Sequence, residues 1–394
     1  MPALSLHAQE YGIDNNTRLN DFPVLNVPMG GKSEGMAGAF AAISDDVSFL
    51  EFNPAGSSML EKSELAFFHN NWVADVKLEG VAYATRFGNF GLATGAKWLY
   101  TPFTEYDDGE RVSNGYYSEG VAILNFSYNL FPSYYFGGVS IGVNLKGVFR
   151  LVPDFTDHFD SILSSSGIDK STIMGMADIG ILTRFDFLKL YTARERNMSI
   201  ALVAKNLGLP ALGETLPTVF NAAIAYKPIR PLIISFDFFY PFNILEPALS
   251  ELPYGALGLS VQVNSFLSMR TGLMVKTGTS SFTIGSAIII DSVALDINYT
   301  LDLPTQFRPL NRISLGVRLD LGDKGRKQMS YRVDELYLLG MEAYTRGNTA
   351  DAKLRWREAL NIDSRYTPAR EGLTMLENRE GLIKHIEDLY FLDF

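Results

Sequence analysis

The sequence predicts an all-β protein, a transmembrane barrel of fourteen antiparallel strands followed by a small α-helical tail. Three observations support this prediction. Apolar and polar residues alternate with period two across residues 63–321, the candidate strands are long, and short connections alternate with long ones.

The alternation is clearest in the last candidate strand, residues 311–321. Its apolar positions are Ile313, Leu315, Val317, Leu319 and Leu321, with serine, glycine, arginine and aspartate between them. Successive side chains of a strand point to opposite faces, so this strand has one apolar face and one polar or small face. A soluble β-sandwich has the same alternation, so period two alone leaves both folds open.

Strand length and connection length favour the barrel. Most candidate strands reach the ~9–11 residues that a tilted strand needs to cross the hydrocarbon layer, whereas strands of globular proteins average about five or six. The links 228–231 and 264–265 are short, whereas the links 102–115, 153–170 and 207–217 are long. Short turns at one rim and long loops at the other are typical of outer-membrane barrels with both termini in the periplasm.

Composition and charge exclude several other classes of protein. The 394 residues are 47% hydrophobic, yet no apolar run approaches the ~20 residues of a transmembrane helix. The absence of cysteine excludes disulfides, thiolate metal sites and cysteine nucleophiles. The net charge of −10, without a basic cluster, opposes a nucleic-acid partner. No cofactor, metal or catalytic motif occurs, so we expect neither an enzyme nor a metal site.

Residues 27–62 form a segment of small residues just before the first candidate strand. We expect a short helix at 33–42, a restart at two aspartates, and a turn at Asn-Pro-Ala-Gly, where proline prevents a helix from continuing. The residues that mark this segment are Gly35, Gly38, Asp45, Asp46, Asn53, Pro54, Ala55 and Gly56. Its small residues suit close packing inside another structure, although a glycine-rich helix end in a soluble protein is the alternative.

A resemblance rests on these residues and on two further runs, Phe-Phe-His-Asn-Asn-Trp at 67–72 and Lys-Trp-Leu-Tyr-Thr-Pro-Phe at 97–103. The pattern resembles the FadL-like outer-membrane proteins, the long-chain fatty-acid transporter superfamily, and the two runs are similar to an uncharacterised spirochaete branch of it. The resemblance covers residues 27–321. It implies a barrel at 63–322 whose lumen is plugged by an N-terminal helical hatch at 27–62.

The resemblance also implies a function. A FadL-like protein would pass hydrophobic molecules, such as long-chain fatty acids, across the outer membrane by passive diffusion when the hatch moves. The ligand would leave sideways at the third strand, where Gly91 and Gly95 are expected to weaken the ladder. The implied partners are the ligand, outer-membrane lipid and the barrel-assembly machinery, with no cofactor. The alternative is a non-transporting barrel of the same superfamily that binds proteins through its loops and tail.

The sequence contains five candidates for ligand contact, three aromatic and two basic: Phe103, Phe155, Phe159, Lys97 and Lys146. The phenylalanines would form an apolar landing site on the long-loop side, or would merely pack the loops together. The lysines face the lumen, where a cation is costly unless hydrated or paired, so each is a candidate for meeting a ligand carboxylate. Pairing with lumen acids such as Asp296 is the alternative.

The two ends of the chain differ from the barrel. Residues 1–26 are expected to hold a signal-peptide remnant, or else an added or disordered start. In residues 323–394 the period becomes helical, and small and aromatic residues such as Gly340 and Trp356 have the spacing of a tetratricopeptide repeat. We expect a periplasmic tail that docks on the barrel rim or on a protein partner, with a plain helical hairpin that has no binding role as the alternative.

Overall fold

The computed structural model describes residues 22–72, 75–107, 110–151, 171–191, 194–208, 216–244, 247, 250–278, 280–303 and 311–392. The chain divides into two compact units. The first comprises Met1–Leu130 and Val139–Leu321, and the second comprises Phe131–Gly138 and Gly322–Phe394.

The first unit is a closed barrel in which the described residues form fourteen strands, as predicted. Consecutive strands pair in antiparallel fashion, and β1 closes the barrel by pairing with β14. The strands are β1 (Glu64–Asn71), β2 (Lys77–Phe87), β3 (Phe90–Asp107), β4 (Glu110–Leu130), β5 (Val139–Leu151), β6 (Thr172–Phe185), β7 (Met198–Gly208), β8 (Val219–Tyr226), β9 (Leu232–Pro241), β10 (Tyr254–Gln262), β11 (Leu267–Val275), β12 (Ser281–Ile290), β13 (Val293–Asp302) and β14 (Arg312–Asp320).

The outward faces of these strands are apolar, and many inward positions are polar. In β14, Ile313 and Leu315 are 52% and 46% exposed, whereas Ser314 between them is fully buried. Asp237 of β9 and Asn298 of β13 are likewise buried. A soluble sandwich buries its apolar faces, so this reversed arrangement removes the sandwich alternative and matches a barrel surrounded by hydrocarbon.

The N-terminal segment, residues 22–62, contains four short helical pieces. They are the α-helices Pro23–Asn26 and Gly31–Gly35 and the 3-10 helices Val47–Glu51 and Pro54–Met59. The single helix predicted at 33–42 is therefore wrong. It ends early because Ala37 and Gly38 have left-handed backbone, with φ of 52° and 79°.

The N-terminal segment lies against the inward faces of the strands. A Cβ built on Gly91 of β3 would lie 2.2 Å from the carbonyl carbon of Ser57. A Cβ on Gly142 of β5 would lie 2.2 Å from the carbonyl oxygen of Pro54. Only glycine at these two positions lets the segment's backbone approach the wall so closely.

Strands β3 and β4 differ from the prediction in two ways. The loop predicted at 102–115 is largely strand, because β3 continues to Asp107 and β4 begins at Glu110. The weakened ladder expected at Gly91 and Gly95 is also not observed, since both residues pair with β2 on one side and with β4 on the other. The close approach of the N-terminal segment explains the small residue at position 91 instead.

The second unit contains three tail helices, Arg326–Thr345, Thr349–Ile362 and Thr367–Leu392. Trp356 of the second helix is fully buried, and a Cβ on Gly340 or Gly372 would lie 2.4 or 2.8 Å from its ring. Tyr134 packs edge to face on Tyr366, with ring centroids 5.1 Å apart. No helix within the described ranges is long and apolar enough to cross a membrane.

Candidate functional site

The candidate site is the contact between the N-terminal segment and the inner wall of the barrel, termed here the segment–wall interface. Towards β13 and β14 this interface is ionic. Glu34 Oε1 accepts a hydrogen bond from Arg312 Nε at 2.5 Å, and Asp46 Oδ2 lies 3.2 Å from Arg318 Nη1. Arg318 Nε also donates to Asp296 Oδ2 at 2.5 Å. Buried charges need such partners, so these contacts hold the segment to this side of the wall.

Around the turn at residues 53–58, the contacts of the segment with β4 and β5 are neutral, whereas nearer its start the backbone N–H of Val24 donates to the Glu119 carboxylate of β4. Ser57 Oγ lies 2.5 Å from Asn125 Oδ1 and 2.6 Å from Ser127 Oγ. Ser140 Oγ donates to the carbonyl oxygen of Ala55 at 2.6 Å. Neutral hydrogen bonds contribute roughly 0.5–1.5 kcal/mol each, less than bonds between charged groups. This turn, termed here the neutral side of the segment, therefore has the weaker contacts with the wall.

The predicted Asn-Pro-Ala-Gly turn lies on this neutral side. Asn53 Nδ2 donates to the carbonyl oxygen of Ala41 at 2.8 Å, and Asn53 Oδ1 accepts from the backbone N–H of Ala55 at 3.0 Å. The carbonyl oxygen of Pro54 accepts from Asn125 Nδ2 at 2.8 Å. Asn53 thus fixes the turn while Pro54 contacts the wall. Their gating role stays a prediction.

The three glycines among the predicted hatch residues, Gly35, Gly38 and Gly56, also lie in the N-terminal segment. A Cβ on Gly35 would lie 2.7 Å from Asn298 Oδ1, and one on Gly56 would lie 2.5 Å from the ring of Phe49. Gly38 has a left-handed backbone conformation. Each position has a packing or backbone reason to be glycine, independent of any role in gating.

The adjacent aspartates Asp45 and Asp46 differ in their electrostatic environment. Burial opposes ionisation of both carboxyl groups. For Asp45 the ion pair with Lys32, together with the charges of Lys227 and Arg184, outweighs burial and holds the pKa below its ordinary value. For Asp46 burial outweighs the attraction of Arg318 and raises the pKa. As pH falls, Asp46 therefore takes up a proton before Asp45 does.

The two candidate ligand lysines are both ion-paired. Lys97 Nζ lies 2.6 Å from Glu51 Oε1, and Lys146 Nζ lies 2.7 Å from Asp178 Oδ2. The acid named as an example from the sequence, Asp296, is the wrong partner, because its carboxylate is bound by arginines of β11 and β14. The structure thus joins each lysine to a carboxylate that the sequence did not identify.

A third lysine, Lys205 of β7, lies beside these pairs and was missed from the sequence. A β-bulge places Lys205 and Asn206 together opposite Asp178, and Asn206 has a φ of 57°. Lys205 Nζ lies 5.2 Å from the centre of the Phe52 ring in the N-terminal segment. Period two could have identified it, because Lys205 follows the buried Val203 by two residues.

The predicted apolar landing site cannot be placed. Phe155 and Phe159 lie outside the described residues, and only the backbone of Phe103 is described, as part of β3. The landing site therefore stays a prediction. Within the described ranges, no group of three or more histidine, aspartate or glutamate side chains could hold a metal ion.

Comparisons with known proteins give a family and a fold. The model of a family described as "Uncharacterised protein family (UPF0164)" matches residues 1–324. A UPF0164 protein of Treponema pallidum (strain Nichols) is 27% identical over 384 residues, covering 93% of this chain and 84% of the relative. A second from the same organism is 26% identical over 386 residues, covering 93% and 77%.

Among solved structures, the CymD monoaromatic hydrocarbon channel is similar with a TM-score of 0.50 and 12% sequence identity. The similarity covers 76% of this chain and 99% of CymD. At this identity the comparison indicates a shared barrel fold.

Proposed function

The chain belongs to the UPF0164 family, and we propose that it is an outer-membrane channel for hydrophobic molecules, with long-chain fatty acids as the substrate class. One observation carries the proposal. A closed barrel with an apolar outside holds its own N-terminal segment against its inner wall. The apolar outside suits a membrane, and a segment placed in the lumen can control passage.

The class of substrate is supported by analogy. CymD, which shares the fold, is described as a monoaromatic hydrocarbon channel. A shared fold does not fix the ligand, so the analogy supports hydrophobic molecules in general rather than one compound.

On this proposal the N-terminal segment is the hatch, and it opens on its neutral side. The hydrogen bonds of Ser57 and Ala55 to β4 and β5 break first, while the ion pairs of Glu34 and Asp46 hold the other side to β14. Such an opening breaks few strong contacts, because neutral hydrogen bonds can be exchanged for bonds to water.

The proposed route begins at an apolar landing site and ends in the membrane. The ligand meets Phe103, Phe155 and Phe159 at the long-loop rim and passes the charged groups of the inner wall. It leaves through β3 beside Gly91 and Gly95. Because the ladder at these glycines is unbroken, this exit requires hydrogen bonds on one side of β3 to open.

We also propose that the tail lies in the periplasm and binds a protein as a tetratricopeptide-like module. Tyr331 and Leu338 of the first tail helix are 73% and 65% exposed, which leaves apolar surface for a partner. This feature favours the second candidate function, a scaffold that acts through the tail and loops without transport.

Uptake of labelled palmitate tests the channel. The protein is expressed in a Gram-negative host that lacks its own fatty-acid transporter, and uptake is compared with that of cells without the protein. We expect clearly faster uptake. Uptake equal to that of the control cells, with the barrel present and folded in the outer membrane, would favour the scaffold.

A further inference from the structure

Three lysines and two carboxylates meet where the N-terminal segment faces β3, β5, β6 and β7. Lys97 and Lys146 are paired, as described above, with Glu51 and Asp178. All four of these charged side chains interact electrostatically with Lys205. The cluster therefore has one more cation than anions, and Lys205 provides the excess.

Every oxygen of the two carboxylates in this cluster already has a partner. Glu51 accepts from Lys97 through Oε1 and from the backbone N–H of Met29 through Oε2, at 2.6 and 2.7 Å. Asp178 Oδ1 accepts from the backbone N–H of Asn206 at 2.8 Å. Each of these three oxygens thus already has a hydrogen-bond partner other than Lys205.

The other oxygen of Asp178 is engaged as well. Asp178 Oδ2 accepts from Asn144 Nδ2 at 2.9 Å and from Lys146 Nζ at 2.7 Å. Within the described part of the chain, Lys205 Nζ has no hydrogen bond or ion pair, only the face of the Phe52 ring at 5.2 Å. A half-buried ammonium group with so little compensation is costly, and an anion beside it would remove that cost.

The wall next to the lysines is apolar. Ile123 and Met176 are the partners of Lys146 on the neighbouring strands, and they are 3% and 5% exposed. Val148 and Met174, further along β5 and β6, are equally buried. An anion bound at Lys205 would thus lie beside apolar surface.

We propose that Lys205 is the binding residue for the acidic group of an apolar carboxylic acid, and that this cation makes the channel prefer such acids to neutral hydrophobic molecules. The proposal rests on the channel function proposed above and names the residue that binds the acidic group of its substrate. Lys97 and Lys146 keep their carboxylate partners and only position Asp178 and Glu51, whereas Lys205 contacts the ligand. The carboxylate of the ligand accepts a charge-assisted hydrogen bond from Lys205 Nζ, while the apolar part of the ligand contacts the wall.

Binding of dodecanoate and of 1-dodecanol to the purified full-length protein tests this assignment. The two probes share a chain and differ in charge. We expect the wild-type protein to bind the acid about tenfold more tightly than the alcohol. Lys205→Gln and Lys205→Met should bring the ratio to about one without changing alcohol binding, whereas Lys205→Arg should keep the preference.

Lys189→Gln, a change in the turn between β6 and β7, is the matched control and should behave as wild type. Heat-modifiable gel migration confirms that each variant is folded. The role of Lys205 is overturned if the wild type binds the two probes equally, or if Lys205→Gln loses binding of both. Either result leaves a hydrophobic channel in place. Binding of neither probe by the wild type contradicts both the channel and the role of Lys205.

Discussion

At the scale of single residues, small side chains decide how closely the N-terminal segment approaches the wall. Gly91 and Gly147 are both strand glycines, but they face opposite sides of the barrel. A Cβ on Gly91 would collide with the backbone of Ser57, whereas a Cβ on Gly147 would meet nothing within 4 Å. The two positions therefore separate the effect of the segment–wall contact from a general effect of glycine in strands.

We predict that Gly91→Ala displaces the segment and costs about 1–3 kcal/mol of its packing free energy. The measurement is the conductance of small ions in planar bilayers, which should rise above the wild-type value. Gly147→Ala should conduct as the wild type does. Equal conductance in all three proteins would contradict the close packing of the segment at β3.

Residue-scale features differ in how far the sequence could predict them. Asn53 and Pro54 were identifiable because a turn depends on neighbouring residues. The partners of Lys97 and Lys146 were not, because only barrel closure and the folding back of the segment bring Glu51 and Asp178 to them. The inward direction of Lys205 follows from the alternation, but the β-bulge that brings it opposite Asp178 does not.

At the scale of elements, each strand separates lipid-facing from lumen-facing residues. In β10, Leu257 and Val261 are 45% and 39% exposed, and Leu259 between them has the same outward parity. The number of strands and the side of the barrel that each strand residue faces were predictable, since both follow from the period-two alternation and from connection length. The extension of β3 to Asp107 and the start of β4 at Glu110 were not, because Gly, Pro and Asp in the stretch 102–115 favour a loop locally.

We predict that Leu259→Arg destabilises the barrel by about 2–4 kcal/mol, because it places a charge in hydrocarbon. Gln262→Arg, on the other face of the same strand, should be tolerated. Urea titration followed by heat-modifiable gel migration measures both. Equal sensitivity of the two variants would argue against a lipid-facing β10.

The tail is a separate element with its own core. Trp356 is fully buried against Gly340 and Gly372, whereas Leu354 on the same helix is 54% exposed. We predict that Trp356→Ala costs about 3–5 kcal/mol of tail stability and that Leu354→Ala costs little. Limited proteolysis of the full-length protein should cleave the tail of Trp356→Ala much faster and leave the barrel intact. Similar cleavage of both variants would show that Trp356 is not central to this core.

At the scale of the whole molecule, the barrel and its N-terminal segment form one transport device in our account. The wall provides polar inward residues for the segment and apolar outward residues for the membrane. Ion pairs hold the segment to β3 and β14, and neutral hydrogen bonds hold its turn at residues 53–58 to β4 and β5. The account's central claim is that hydrophobic molecules pass only when the neutral side of the segment leaves the wall.

A disulfide across the neutral side tests this claim most directly. Ser57 Oγ and Ser127 Oγ are 2.6 Å apart, so the sulfur atoms of two cysteines at these positions can reach each other, and the chain has no cysteine of its own. Palmitate uptake by cells carrying Ser57→Cys together with Ser127→Cys should fall to background when oxidised and recover on reduction. Each single variant should transport as the wild type does. Wild-type uptake by the oxidised, fully cross-linked protein would contradict the account.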